Sequence, residues 1–478
     1  MKVLLIMADA SMHKFWINGR LKSAREAPLT LTTLAAIGSR EPDVEFRLVD
    51  ESVDSVPLDF PADLVGISVM TGTARRAYAL AEHFRSRGIP VVLGGVHVTI
   101  LPEEAARHAD AIVIGMAEMT WPRVLQDFKA GRMARVYREE EGDTQFARGI
   151  PTPRWDLQRK SGYMIPYTVQ FTRGCVHGCD FCTIPAVYKH FLRRPIADIV
   201  RDVKAVPGKR FAVNDVSPFD DVDYARELLR ALIPLKKKWG GLATTRITDD
   251  PELLDLLRRS GCQYLLLGFE SSSQRSLTGI YKGFNQPQDY AEVMRRLHGA
   301  GIVVQGCFVF GFDEDEKDVF AATVEEVDRL KIDIPRYSIY TPYPGTKLFH
   351  RLEAEARILS HDWGDYDTMH VVFQPQRMTP VELYEGFRRA YYDTFRWRTT
   401  FRRALRGGTR APIIIAGGVT YHKFARRICG IKGFEQPLAP VAERPAPESA
   451  RQVSEGVPLG IERQTTPATR PSVPAGSA

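Results

Sequence analysis

Three cysteines within eight residues constrain this chain more than any other feature. They fall in Phe171-Thr172-Arg173-Gly174-Cys175-Val176-His177-Gly178-Cys179-Asp180-Phe181-Cys182, spaced Cys-x3-Cys-x2-Cys with an aromatic just before the third. Three thiolates on one tight loop suit three irons of a [4Fe–4S] cube, and the fourth iron then stays open to a small molecule. A zinc site usually shows two Cys pairs, or a Cys pair with a His pair. No second pair follows here, and Cys262, Cys307 and Cys429 stand alone. A disulfide framework fits a short secreted chain, not 478 residues with six cysteines. Cys262 and Cys307 lie in apolar runs and read as small core residues.

The length predicts about two to four domains. An apolar fraction of 44% is enough for sizeable cores, and no apolar run is long enough to span a membrane. The start, Met1-Lys2-Val3-Leu4-Leu5-Ile6, reads as a first strand and not as a signal peptide. Reduced thiols on an oxygen-sensitive cluster predict a cytoplasmic protein. The net charge of +7 is local: residues 386–430 hold eleven Lys or Arg and one acid, so about +10 sits there and about −3 elsewhere. General nucleic-acid affinity explains such an uneven charge poorly, and no DNA-binding helix pair is visible.

Residues 1–145 alternate short apolar runs with helical patterns. Val3–Met7, Val44–Val49, Leu64–Val69, Pro90–Gly94 and Ala111–Gly115 read as strands. Leu29–Ser39, Thr73–Arg87, Pro102–Arg107 and Trp121–Lys129 read as helices. This alternation predicts an α/β fold with a parallel, doubly wound sheet that binds ligands beyond the carboxyl ends of its strands. Those ends carry Ser68, Thr71, Gly94, Gly95, Gly115 and Glu118. A generic nucleotide fold would need similar glycines.

Residues 131–165 are charged and dotted with proline, a connector composition, with the linker proper at 146–165. Over 166–375, strand-like runs at Tyr167–Thr172, Arg210–Asn214, Gly241–Thr245, Tyr264–Phe269, Val303–Phe310 and Arg336–Tyr340 alternate with helices, predicting a partial (β/α)6 barrel. Active residues gather at the C-terminal ends of barrel strands, which is where the cysteine loop lies. Asn214, Asp215, Asp220 and Asp221 follow the second strand as candidate cofactor contacts, and the three aspartates read equally well as a solvated loop. Glu270 and Ser271 end the fourth strand, Gly306 and Gly311 bracket the fifth, and Pro344 follows the sixth.

Met378–Arg406 has helical periodicity with interleaved aromatic and basic residues, followed by the apolar Ile413-Ile414-Ile415. The helical region at 376–435 is expected to pack on the barrel with a solvated basic face. The alternative is that Arg396, Arg398, Arg402 and Arg403 meet anionic lipid. From 436 to 478 the chain has eight prolines in 43 residues and reads as a disordered tail.

The cysteine spacing, its aromatic and the preceding α/β region resemble the cobalamin-binding-domain radical S-adenosylmethionine (SAM) family. That class includes hopanoid, bacteriochlorophyllide and phosphonate methylases and the anaerobic magnesium-protoporphyrin cyclase. The resemblance implies a [4Fe–4S] cluster on Cys175, Cys179 and Cys182, with SAM on the open iron. It also implies one electron from an external donor and a 5′-deoxyadenosyl radical. It maps Phe181, Glu270, Ser271, Gly306, Gly311 and Pro344 to SAM. It maps Ser68, Thr71, Gly94, Gly95, Gly115 and Glu118 to a Rossmann-like cobalamin site. The first loop, Asp9-Ala10-Ser11-Met12-His13-Lys14-Phe15, departs from the Asp-x-His-x-x-Gly pattern that supplies a cobalt ligand, so neither His13 nor His97 is expected on cobalt. The implied activity is C-methylation of an unactivated carbon; the alternatives are a cyclase without methyl transfer and a non-enzymatic sensor. The aromatic C-terminal segment points to an apolar lipid or a tetrapyrrole as the small-molecule substrate.

Overall fold

The computed structural model describes residues 1–9, 14–17, 20–23, 26–139 and 149–430, with backbone only for 14–17 and 20–23. His13 and the tail at 436–478 lie outside the described residues.

In chain order the strands are β1 (Lys2–Met7), β2 (Lys14–Ile17), β3 (Arg20–Ser23), β4 (Glu45–Asp50), β5 (Leu64–Ser68), β6 (Val91–Gly94), β7 (Ala111–Ile114) and β8 (Val136–Arg138). Apart from the β2–β3 hairpin, they form one sheet in the order β4-β1-β5-β6-β7-β8, parallel at every pairing. Val3, Leu4, Leu5 and Ile6 are buried in succession because β1 is covered on both faces. Helix Ala74–Ser86 buries Ala77, Leu80, Ala81 and Phe84 at helical spacing. The strand order reverses between β1 and β5, the place where open α/β sheets leave a crevice. The connector reading of 131–165 missed β8, a three-residue edge strand too short to announce itself.

The second sheet is built from β9 (Thr168–Val169), then β12 (Arg210–Val213), β13 (Lys238–Ala243), β14 (Cys262–Glu270), β15 (Val303–Phe310) and β16 (Ile334–Ile339). Between β9 and β12 lie the two-residue strands β10 (Thr172–Arg173) and β11 (Leu192–Arg193), paired antiparallel to each other. The barrel order is β16-β15-β14-β13-β12-β9, six parallel strands with helices in the crossovers. Leu265, Leu267 and Phe269 of β14 and Val304, Phe308 and Phe310 of β15 pack with the surrounding helices in one large core. Because strand side chains alternate, Gln305, Cys307 and Val309 face the opposite, inner side. Cys262 is the core residue the sequence predicted, but Cys307 is half-buried on the inner face.

The helix expected over Met378–Arg406 is two helices, Pro380–Thr394 and Trp397–Arg406, with Arg396 extended between them. Arg403 accounts for the break. It is buried, and its guanidinium donates to the Thr394 carbonyl at 2.9 Å, capping the first helix. The Ile413-Ile414-Ile415 run belongs to a third helix, Ala411–Ile428. Tyr391, Phe395, Tyr421 and Phe424 stack between these helices and the barrel.

Candidate active site

The cysteine loop leaves the barrel at the C-terminal end of β9. Its stem is held from below. Asp215, buried just after β12, accepts hydrogen bonds from the backbone N–H groups of Phe171 (2.7 Å) and Thr172 (2.5 Å) and from the Thr172 hydroxyl (3.2 Å). Burial pushes the Asp215 carboxyl up to about 7, against the opposing pull of these bonds. The Tyr224 hydroxyl donates to the Phe171 and Arg194 carbonyls, and buried Arg194 pairs with Asp202 at 2.8 Å. Gly174 has φ +84°, and a Cβ there would collide with the His190 carbonyl, so the turn into Cys175 requires glycine.

Between the cysteines the loop is pinned on two sides. His177 hydrogen-bonds Asp220 at 3.1 Å and stacks on Phe284 at 4.1 Å. Asp220 also accepts from Thr244. Asp180 accepts from the Tyr340 hydroxyl at 2.6 Å, and Phe181 meets Tyr340 edge-on. Burial is the largest influence on Cys179 and pushes its thiol up to about 12, with Lys282 pulling the other way. Lys282 itself pairs with Glu270 at 2.6 Å, both side chains about nine-tenths buried. Glu270 has φ +63° at a register irregularity between β14 and β15, which folds its carboxylate back over Gly268.

Farther down the inner face, Gly268, Cys307 and Arg336 stand opposite one another on β14, β15 and β16. With strands about 4.8 Å apart, Arg336 lies about 10 Å across the sheet from Gly268. Arg336 is half-buried and forms no hydrogen bond or ion pair among the described residues. Its electrostatic neighbours are Tyr421, Cys307, Tyr391 and Tyr264. Gln305 accepts from Tyr264 and donates to Tyr421 at 2.7 Å, so the last helix closes this end of the barrel.

The predicted cobalamin residues gather at the carboxyl ends of β5, β6 and β7. Ser68 and Gly94 are register partners. Gly95 has φ +109°, and a Cβ there would lie 2.7 Å from the Val69 carbonyl; Gly115 has φ +83°. Thr71 is buried 3.4 Å from His97 Nδ1, while His97 Nε2 meets Tyr78 and Glu104. His97 is thus fully buried in a network of its own. Glu118 forms a 2.5 Å ion pair with Arg173 of the cysteine loop, so this edge of the first sheet touches the barrel site. Arg75 to Asp362 (2.7 Å) and Trp363 to Glu104 (2.9 Å) add two more bridges.

The SAM expectations divide. Glu270, Phe181 and the backbone turn at Pro344 lie around the cysteine loop or at the strand ends beside it. The Ser271 hydroxyl accepts from the Ser273 N–H, a turn role. Gly306 belongs to the helix side of β15, where a Cβ would meet Ile332 and Phe269, so it does not face the inner space. The Gly311 N–H donates to Asp315 at 2.9 Å, and its open side meets Leu383. Gly306 and Gly311 therefore serve packing and a turn. Asp215 and Asp220, for which the sequence leaves cofactor contact and solvated loop equally open, anchor the cysteine loop. Sequence reasoning missed Lys282, Arg173 and Arg336; an apolar strand interrupted by one arginine was the signal for the last.

A doubly wound module thus meets, through its strand ends, a three-cysteine loop on a partial barrel. The profile of the radical SAM superfamily matches residues 169–327, and that of the B12 binding domain matches residues 28–125. The chain is 31% identical, over 83% of its length and 91% of the relative's, to bacteriochlorophyllide d C-12(1)-methyltransferase of Chlorobaculum tepidum. It is 25% identical, over 70% of its length and 61% of the relative's, to the anaerobic magnesium-protoporphyrin IX monomethyl ester cyclase of Cereibacter sphaeroides. The solved radical SAM methyltransferase TsrM of Kitasatospora setae shares the fold, with TM-score 0.60 and 16% identity over 81% of this chain and 85% of that one. The chain belongs to the radical SAM superfamily, in the branch that carries a B12-binding domain.

The family's cofactors are a [4Fe–4S] cluster, SAM and cobalamin, and the residues present fit them. Cys175 and Cys182 are electrostatic neighbours of Cys179, so three thiolates crowded there repel one another. A buried thiolate set of that kind calls for positive charge, which metal ions supply while holding thiols deprotonated. Among the described residues no three His, Cys, Asp or Glu side chains converge on one point to hold a single ion. Ligands to three different irons need no such convergence. On the first sheet, Gly95 and Gly115 have positive φ, and a Cβ there would lie 2.7 Å from the Val69 carbonyl and the Glu139 carboxylate, respectively, so these tight turns at the strand ends require glycine.

Proposed function

We propose that the protein is a cobalamin-dependent radical SAM C-methyltransferase that acts on an unactivated carbon of a tetrapyrrole carrying a carboxylate. The observation that carries this reading is the Glu118–Arg173 ion pair, which joins the strand ends of the B12-binding domain to the cysteine loop. When bound, the cluster and SAM supply radical chemistry and cobalamin supplies a methyl group. The protein's own work is placement. Cys175, Cys179 and Cys182 hold the cluster, and Asp215, His177 and Asp180 fix their loop. The Glu270–Lys282 pair sets polar groups beside Cys179. Ser68, Thr71, Gly94, Gly95 and Gly115 would frame the cobalamin.

The similarity to a bacteriochlorophyllide methyltransferase over most of both chains supports a tetrapyrrole substrate. Arg336 supports a carboxylate on it: its guanidinium on the inner face has no hydrogen-bond or ion-pair partner among the described residues and suits an anion. An external one-electron donor and a reducing, cytoplasmic setting accord with an oxygen-labile cluster. Similarity to the cyclase keeps oxidation without methyl gain as the competing outcome. Incubation of the reconstituted protein with reductant, SAM, cobalamin and tetrapyrrole acids separates the two by product mass.

A further inference from the structure

We propose that the helix Trp397–Arg406 docks the protein on an anionic lipid surface. Trp397, Phe401 and Leu405 recur every fourth residue and are 45%, 60% and 86% exposed. Such spacing places them in one row along the helix. Arg398, Arg402 and Arg406 form the adjacent row, and the opposite face buries Thr400, Arg403 and Ala404. The outward apolar row is therefore not the inward stripe of an ordinary amphipathic helix. The helix is held firmly, because Arg403 donates to the Thr394 carbonyl and the Trp397 ring lies 4.2 Å from His422. Exposed Tyr392 and Ile415 lie on the two neighbouring helices.

Three large exposed apolar side chains in a row signal a partner. The charges select which. Arg402 pairs with Asp328 at 2.5 Å, and Arg396 pairs with Asp393. Arg398 and Arg406 have no carboxylate partner among the described residues. Anionic headgroups beside an apolar interior answer both rows at once, with the arginine stems lying along the apolar boundary. A second copy about a two-fold axis would bring arginine rows together, which disfavours it. No helix among the described residues is long and apolar enough to cross a membrane, so the contact is peripheral. Arg403, which the sequence grouped with the lipid-facing arginines, is buried and takes no part.

The test is sedimentation of the full chain with phosphatidylcholine vesicles, with and without about 30% phosphatidylglycerol, at low and high salt. It reads binding without turnover, so its result is independent of whether methyl transfer occurs. The wild type should bind anionic vesicles about 10-fold more than neutral ones at low salt and be released at high salt. Arg398→Gln with Arg406→Gln should weaken binding by roughly 10- to 30-fold. Phe401→Ser with Leu405→Ser should do the same at unchanged melting temperature; if that pair misfolds, the 86% exposed Leu405→Glu serves instead. Equal binding to both vesicles, or unchanged binding by the variants, overturns the proposal. So does a wild-type dimer that Leu405→Glu converts to monomer.

Discussion

Asp215→Ala should loosen the cysteine loop without touching a cysteine. Asp215 Oδ2 alone accepts from two backbone N–H groups and one hydroxyl, all buried. An unsatisfied buried donor costs about 1–3 kcal/mol, so two stranded N–H groups predict a loss of roughly 2–6 kcal/mol. Asp215→Asn keeps an acceptor oxygen and should cost far less. It should also change the pH profile. Because the folded carboxyl is raised from 3.8 to about 7, its contribution to stability is fully present below the lower value. That contribution is lost as pH rises through the upper one, at most about 4 kcal/mol in all. The wild type should therefore lose stability relative to Asp215→Asn between pH 4 and 7, and the gap should level off above. Urea unfolding of the cluster-free protein across that range measures both effects, and iron content after anaerobic reconstitution reports the loop. An Ala variant within about 0.5 kcal/mol of wild type that loads iron normally would refute the anchoring role.

Ala at Cys175, Cys179 or Cys182 should abolish the cluster's visible absorption, while Ala at Cys262, Cys307 or Cys429 should leave it; the reverse pattern would reassign the ligands. Glu118→Ala removes the Glu118–Arg173 ion pair and should cost up to about 3 kcal/mol, with faster hydrogen exchange in both the 115–120 and 172–176 segments. Exchange confined to one segment would deny the coupling. Arg336→Gln should weaken binding of a porphyrin carboxylic acid at least about 10-fold and leave its methyl ester unaffected. Equal loss for acid and ester, read by fluorescence quenching, would make Arg336 merely structural.

Much of this was legible in the chain. Periodicity located nearly all the sheet strands, because continuous apolar runs such as Val3–Ile6 admit few other readings, and the cysteine spacing marked the candidate site. What was hidden lies in tertiary pairing. Nothing local announces that Asp215 reaches back to Phe171 and Thr172, or that Lys282 finds Glu270 twelve residues earlier. The glycine surroundings were hidden for a related reason: a Cβ at Gly306 would meet Ile332 and Phe269, and the Gly311 N–H donates to Asp315. The aromatic and basic C-terminal pattern gave two helical faces mixed in one sequence. Within the helix Trp397–Arg406, only position around the axis separates buried Arg403 from exposed Arg398 and Arg406.

The activity proposed for this chain is installation of a methyl group by radical SAM chemistry. Anaerobically reconstituted protein, supplied with cobalamin, a one-electron reductant, a tetrapyrrole carboxylic acid and SAM bearing a deuterated methyl group, tests it most directly. Methyl transfer yields 5′-deoxyadenosine together with a tetrapyrrole heavier by one deuterated methyl in place of hydrogen. Formation of 5′-deoxyadenosine with an oxidised or cyclised tetrapyrrole that carries no deuterium would contradict it.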